Sequence, residues 1–247
     1  MKKTALALLI MMNCLWVSTA TAASVITVHT ATKNPPLTID NATKLTDVVT
    51  RPEFQNTWWP GAVISWQGAT EKVGQEQQQL LAALAALADD EGGDAGAAIN
   101  GLRQQLSQIK VTGRSLVNLD PDWLRLHPRA DVPLSGPYQL WLPVQPESIR
   151  VFGLVDKPGK KAFTPGMSVA EYLEDETRLS GAERSYVWVI SPEGTTLKAP
   201  VAYWNKRHIE PSPGSTLFVG FSSHPFSSSW DGLNERIINA LIHRIPD

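Results

Sequence analysis

Two stretches of this chain have the same form. Pro133 to Pro143 reads PLSGPYQLWLP, and Pro211 to Gly220 reads PSPGSTLFVG. Each has a proline, two residues, a glycine and then an apolar strand. The segments leading up to them also correspond. An internal repeat constrains a fold more than any local motif does, because each copy must build the same kind of unit.

The C-terminal copy is the clearer one. IRVFGLV, 149–155, is apolar and β-rich, DKPGK is a turn, and KAF pairs back as a short strand. Ser168, with Glu171 three residues on, is a capping box that opens a helix over SVAEYLEDE. SYVWVIS, PEG and TTLKAPVAYWN then read as strand, turn and a segment with another strand. The Pro/Gly turn and a buried strand close the unit. The N-terminal copy begins alike. VITVH is a strand, TATKNPP a turn and LTI a short strand. NATKLTDVVT is a short helix capped by Asn41 or Thr43, and GAVISW is a further strand. Hairpin, helix, further strands is the order of a β-grasp fold, a mixed sheet curled over one helix. The predicted class is α+β, with two β-grasp domains at 23–145 and 146–222.

The first copy carries an insertion at 71–110. Leu80, Leu81, Leu84 and Leu87 mark one helical stripe, and Ile99, Leu102, Leu106 and Ile109 mark a second. DDEGGD breaks them, so the insertion reads as a helical hairpin. Its Gln-rich faces suggest that it projects. Packing on its parent sheet and action as a partner-binding arm are equally supported.

Residues 1–22 have the form of a secretory signal: Lys2 and Lys3, an apolar run from Ala5 to Val17, and the small-residue site Ala20-Thr21-Ala22. The one cysteine, Cys14, lies in that run. Met12 and Asn13 precede it where a lipoprotein box has small residues, so a lipid anchor is not expected. The mature chain then has no disulfide and no thiolate metal site. The formal charge of −2 becomes two units more negative when Lys2 and Lys3 leave. No Lys/Arg cluster stands out, which argues against a nucleic-acid binder.

No catalytic constellation emerges. His29, His127, His208, His224 and His243 are scattered, without metal-ligand spacing, and there is no G-x-S-x-G elbow or Walker loop. Neither a metal nor a cofactor is expected. Asp89, Asp90, Glu91 and Asp94 cluster at the hairpin tip, where solvation explains them, and Glu171 to Glu176 is an acidic helix start. Arg125, His127 and Arg129 form a local basic group that reads as a solvated turn.

Tryptophan is the outlier, with nine, of which Trp16 lies in the leader. Trp66, Trp141 and Trp188 fall on predicted strands and read as core. Trp58 and Trp59 are adjacent, so on an extended chain one packs inward while the other faces out. Both are candidate ligand-binding residues, since an exposed ring stacks on sugar faces. Arg114 is the third candidate. It follows Gly113 where the hairpin returns to the sheet. Its guanidinium suits a uronic-acid carboxylate or sugar hydroxyls, although a structural salt bridge that ties the hairpin to the domain is the favoured reading.

A linker and a C-terminal amphipathic helix occupy 223–247, the helix running from Gly232 to Ile245. Leu233, Ile237, Leu241 and Ile245 form its stripe and are the candidate partner contacts, with Asn234 and Arg244 intruding. Fourteen residues reach about 21 Å, short of a hydrocarbon core of about 30 Å. Docking on the chain's own domain therefore ranks first, a partner contact second and membrane insertion third.

The signal, the inserted hairpin, VTGR at 111–114, GPYQLWLP at 136–143, VFGLVDKPG at 151–159 and the terminal helix together resemble the GfcC/YjbG type of capsule and exopolysaccharide biosynthesis protein. The resemblance spans the mature chain and rests on the ordered set. It implies a periplasmic location. It also implies domains similar to the soluble-ligand-binding β-grasp (SLBB) modules of outer-membrane polysaccharide export proteins, whose terminal amphipathic helices line up across the outer membrane. The implied partners are an acidic polysaccharide or those export proteins. The leading expectation is a non-enzymatic protein that assists polysaccharide assembly or export by binding one of them. A polymer-trimming or -modifying enzyme and a structural scaffold of an envelope complex are the rivals.

Overall fold

The computed structural model describes residues 23–30, 33–222, 230 and 232–246. The expected leader and most of the linker after residue 222 lie outside the described residues.

The first sheet is built from β1 (Ser24–Thr30), β2 (Lys33–Ala42), β3 (Val63–Trp66) and β4 (Pro137–Leu142), in the order β2-β1-β4-β3. β1 runs antiparallel to β2, with Ile26 opposite Ile39, and parallel to β4, with Ile26 opposite Tyr138. β3 lies antiparallel to β4. The second sheet has β5 (Ser148–Gly153), β6 (Gly159–Ala162), β7 (Tyr186–Ile190), β8 (Thr196–Pro200) and β9 (Thr216–Val219), in the order β6-β5-β9-β7-β8. β5 is antiparallel to β6 and parallel to β9, and β7 pairs antiparallel with β9. Both mixed sheets thus start with a hairpin and bring the last strand parallel to the first. β8 adds one edge strand to the second.

Short helices sit where the sequence places them. Ser168 caps α5 (Val169–Tyr172) in a reciprocal box: its hydroxyl accepts from the Glu171 N–H at 3.4 Å, and the Glu171 carboxylate accepts from the Ser168 N–H at 2.7 Å. α1 (Thr46–Val49) differs. No side chain caps it, and the carboxylate of Asp47 instead accepts from Thr43 and Lys44 ahead of it.

The first core holds Ile26, Val28, Ile39, Leu45, Ile64 and Leu140, closed by Val48, Phe54 and Leu124, the last on α4 (Pro121–Leu126). α2 (Gln67–Glu91) and α3 (Gly93–Ser107) contribute nothing to it. Gly92, at φ +59° and ψ −175°, ends α2 in a positive-φ conformation that is essentially restricted to glycine. Leu80, Leu84, Ile99, Leu102 and Leu106 then bury themselves against Val151, Leu217 and Phe218 of the second sheet. The helix pair therefore neither projects nor covers its parent sheet, as the sequence suggested. Other residues already close the first core, and two apolar stripes have to be buried somewhere. The Gln105 side chain fixes the contact, donating to the Gly153 carbonyl at 3.0 Å and accepting from its N–H at 2.9 Å.

α6 (Leu233–Ile242) docks on the same core, with Leu233, Ile237, Ile238 and Leu241 buried. It ends three residues short of the predicted Ile245. Beyond it the chain extends and pairs with the segment leaving the hairpin: Thr112 donates to the His243 carbonyl at 2.9 Å, and Ile245 donates to the Lys110 carbonyl at 2.8 Å. Among the described residues no helix is long and apolar enough to cross a membrane.

Of the three tryptophans expected in the core, Trp66 and Trp141 face away from it, while Trp188 packs partly buried against the second core. Trp66 is 46% exposed, and Trp141 and Trp188 are half-buried. Strand alternation explains it, since Leu140 and Leu142, and Val187 and Val189, take the inner face. Trp141 stacks on His29, and Trp188 meets Tyr186 edge-on with the Lys198 ammonium 4.5 Å from both rings.

A candidate binding cleft between the two sheets

A cleft of about 440 Å³ is lined by Trp58 and Val63 from the first half, by the 143–150 connection, by Ile190, Pro192 and Thr216 from the second half, and by Leu241 and Arg244 near the terminus. It brings together two of the three candidate ligand-binding residues, Trp58 and Arg114.

Trp58 precedes a one-turn 3-10 helix, Trp59–Gly61. Its ring lies over Gly61, where a Cβ would overlap it and press on Pro143. Trp59 packs instead against the first core. The two adjacent indoles thus serve different surroundings.

Arg114 leaves the hairpin's return segment, bridged to Ser65 of β3. Its guanidinium donates to the Pro192 carbonyl at 2.7 Å and to the Ile242 carbonyl at 3.3 Å. The second acceptor ends α6, where exposed carbonyls favour a cation. Burial, then the Arg244 charge, push the Arg114 pKa down to about 10, and Glu193 opposes them. The side chain keeps its charge at neutral pH. It ties the hairpin to α6 and to the β7–β8 turn through carbonyl oxygens, and the same group lines the cleft.

Arg150, Lys160 and Arg244 add three cationic side chains to Arg114, while Glu147 is the one carboxylate among the described lining residues. Sequence reading missed these three. Arg150 and Lys160 lie ten residues apart and become neighbours only through the β5–β6 register. Arg244 was visible only as a residue out of place on an apolar face. The four cations can hold carboxylates, and Trp58 offers an apolar ring beside them.

The other singled-out groups lie elsewhere. Leu233, Ile237 and Leu241 are buried in the chain's own second core, and Ile245 is half-buried. Asp89, Asp90, Glu91 and Asp94 are exposed at the hairpin tip, where Glu91 accepts from the Trp230 indole at 3.1 Å. Glu171 is used in its capping box, and Glu176 is buried in an ion pair with Lys161 at 2.5 Å. Arg125 pairs with Asp122 at 2.8 Å on the surface, and His127 stacks on Trp123. Among the described residues no three His, Asp or Glu side chains converge to hold a metal ion.

Two family models cover the chain between them. The model for capsule biosynthesis GfcC, N-terminal, matches residues 22–146, and the model for capsule biosynthesis GfcC C-terminal matches residues 157–246. The Escherichia coli (strain K12) protein YjbG, itself described as uncharacterized, is 47% identical over 245 residues, covering 99% of each chain.

Proposed function

Because the chain belongs to the GfcC family of capsule biosynthesis proteins, we propose that it is a non-enzymatic periplasmic protein that assists capsule or exopolysaccharide assembly or export by binding the polysaccharide in this cleft. We read its two sheets as β-grasp units, the first carrying α2 and α3 as an insertion between β3 and β4. The shared opening hairpin and the parallel closing strand support that reading.

The cleft's composition carries the proposal. Among the described lining residues there are four cations and one carboxylate beside an indole, a composition that suits an acidic sugar chain. Glycoside hydrolysis uses two carboxyl groups flanking the bond, and the described lining offers one.

Calorimetric titration with oligogalacturonides, as acidic probes, tests this. Binding is expected for the acidic probe and not for a neutral oligosaccharide, weakening as salt rises. Trp58→Ala and Lys160→Gln should each reduce it at a temperature where melting curves show the variant folded. A wild-type protein that binds no acidic oligosaccharide would overturn the proposal. Turnover of native polysaccharide by the purified protein would overturn its non-enzymatic part.

A further inference from the structure

A second cavity, of about 900 Å³, shares a wall with the cleft: Arg150, Arg244 and Pro246 line both. Its remaining lining comes from the end of α3, from β5 with the turn after it, from Leu179 and from Ile245. Gln104 and Gln108 stand there one helical turn apart, both exposed, with Lys110 just beyond. Gln105, between them, is committed to the Gly153 backbone and holds the helix at this distance from β5. Phe152 and Val155 contribute apolar surface. The Gln-rich face that suggested a projecting arm in the sequence therefore borders a cavity.

The chemistry of this lining is specific. The Gln104 and Gln108 side-chain amides have no hydrogen-bond partner among the described residues, and each can both donate and accept, as a hydroxyl-rich ligand requires. Arg150, Arg244 and Lys110 suit carboxylates and outnumber the one acid of the described lining, Asp156, whose carboxylate accepts from the Thr177 N–H at 2.7 Å, and the apolar surface suits the C–H face of a sugar ring. A cleft of 440 Å³ is small among ligand sites, which run from about 300 to 1,000 Å³. A longer chain leaving it past the shared arginines enters the second cavity.

We propose that the two cavities are consecutive parts of one saccharide groove, the second taking the next units of an acidic polysaccharide. The proposal rests on the cleft-binding reading above. It makes Gln104 and Gln108 determinants of chain length rather than of binding itself.

The test titrates the full mature protein with a galacturonide disaccharide and with an octasaccharide. Gln104→Ala combined with Gln108→Ala is the variant. Both positions are exposed and alanine favours a helix, so the fold is kept. The variant is expected to lose about tenfold in affinity for the octasaccharide, the worth of one or two hydrogen bonds, and none for the disaccharide. A longer chain also offers a single site more registers, so the variant decides, not the length effect alone. An octasaccharide bound equally by variant and wild type overturns the groove and leaves the cleft reading standing. Failure of the wild type to bind either probe overturns both.

Discussion

Trp58 owes its position to Gly61. The ring covers that glycine so closely that no side chain fits beneath it. Gly61→Ala is expected to push the indole out of the cleft and lower affinity for an acidic oligosaccharide to near that of Trp58→Ala. Calorimetry on both variants checks this, and wild-type binding by Gly61→Ala would separate the ring from the ligand. Arg114 depends on its fork, which reaches two carbonyls on different elements. Lysine offers a point charge and cannot span both. Arg114→Lys is therefore expected to cost about 1–3 kcal/mol in a denaturant titration, comparable to a charged hydrogen bond and a stranded acceptor. The acid limb of stability belongs to other residues. The Glu171 carboxyl lies below its ordinary 4.5 because the Ser168 hydroxyl and N–H donate to it, and Thr43 holds Asp47 below its ordinary 3.8. The unfolded chain keeps protons there that the folded chain has released. Stability from these groups is present above about pH 4.5 and is lost as pH falls below it. Ser168→Ala should flatten that limb, and an unchanged pH profile would remove Glu171 from the account. The Glu171 box was legible because Ser-x-x-Glu is local. Arg150 and Lys160 were not, because their meeting depends on strand register.

At the scale of the element, α6 shows how far an amphipathic pattern can be read. Its apolar stripe was legible, and Ile237 is fully buried. The surface it covers was not, since a stripe states that burial is needed and not where. Asn234, which looked like an intruder on that stripe, completes it. Its amide accepts from the Phe221 N–H and donates to the Phe221 carbonyl, both at 2.9 Å, replacing a strand partner. Asn234→Leu keeps the shape and strands both groups. It is expected to destabilise by about 1–3 kcal/mol for each buried unpaired group, although it makes the helix more apolar. Thermal melts check the sign, and a stabilised Asn234→Leu protein would sink this account. The end of α6 was also hidden. Arg244 and Ile245 continue the helical pattern, yet the Lys110 and Thr112 backbone draws them into extended pairing.

Across the whole molecule, chain order and packing order differ. The repeat made two similar sheets legible, because turn residues and alternation recur at matching places. It gave no sign that the helix pair following β3 would serve the other sheet. That choice depends on which core still lacks a cover, a property of the assembled molecule. Leu84, Leu102 and Leu106 are fully buried in the second core, while Ile26, Val48 and Leu140 define the first. The cleft lies where these two bodies meet, so its shape depends on both. The packing predicts which parts open together. Leu102→Ala removes a fully buried side chain and is expected to cost about 2–5 kcal/mol. Native-state hydrogen exchange should show that loss at the amides of Val151 and Leu217 and through α3. The amides of Ile26 and Leu140 should keep their protection, although β3 is nearer to Leu102 in sequence than β5 is. An equal loss in both sheets would mean that the molecule opens as one unit. A loss confined to the first sheet would contradict the packing outright, because Leu102 would then support the unit that precedes it in the chain.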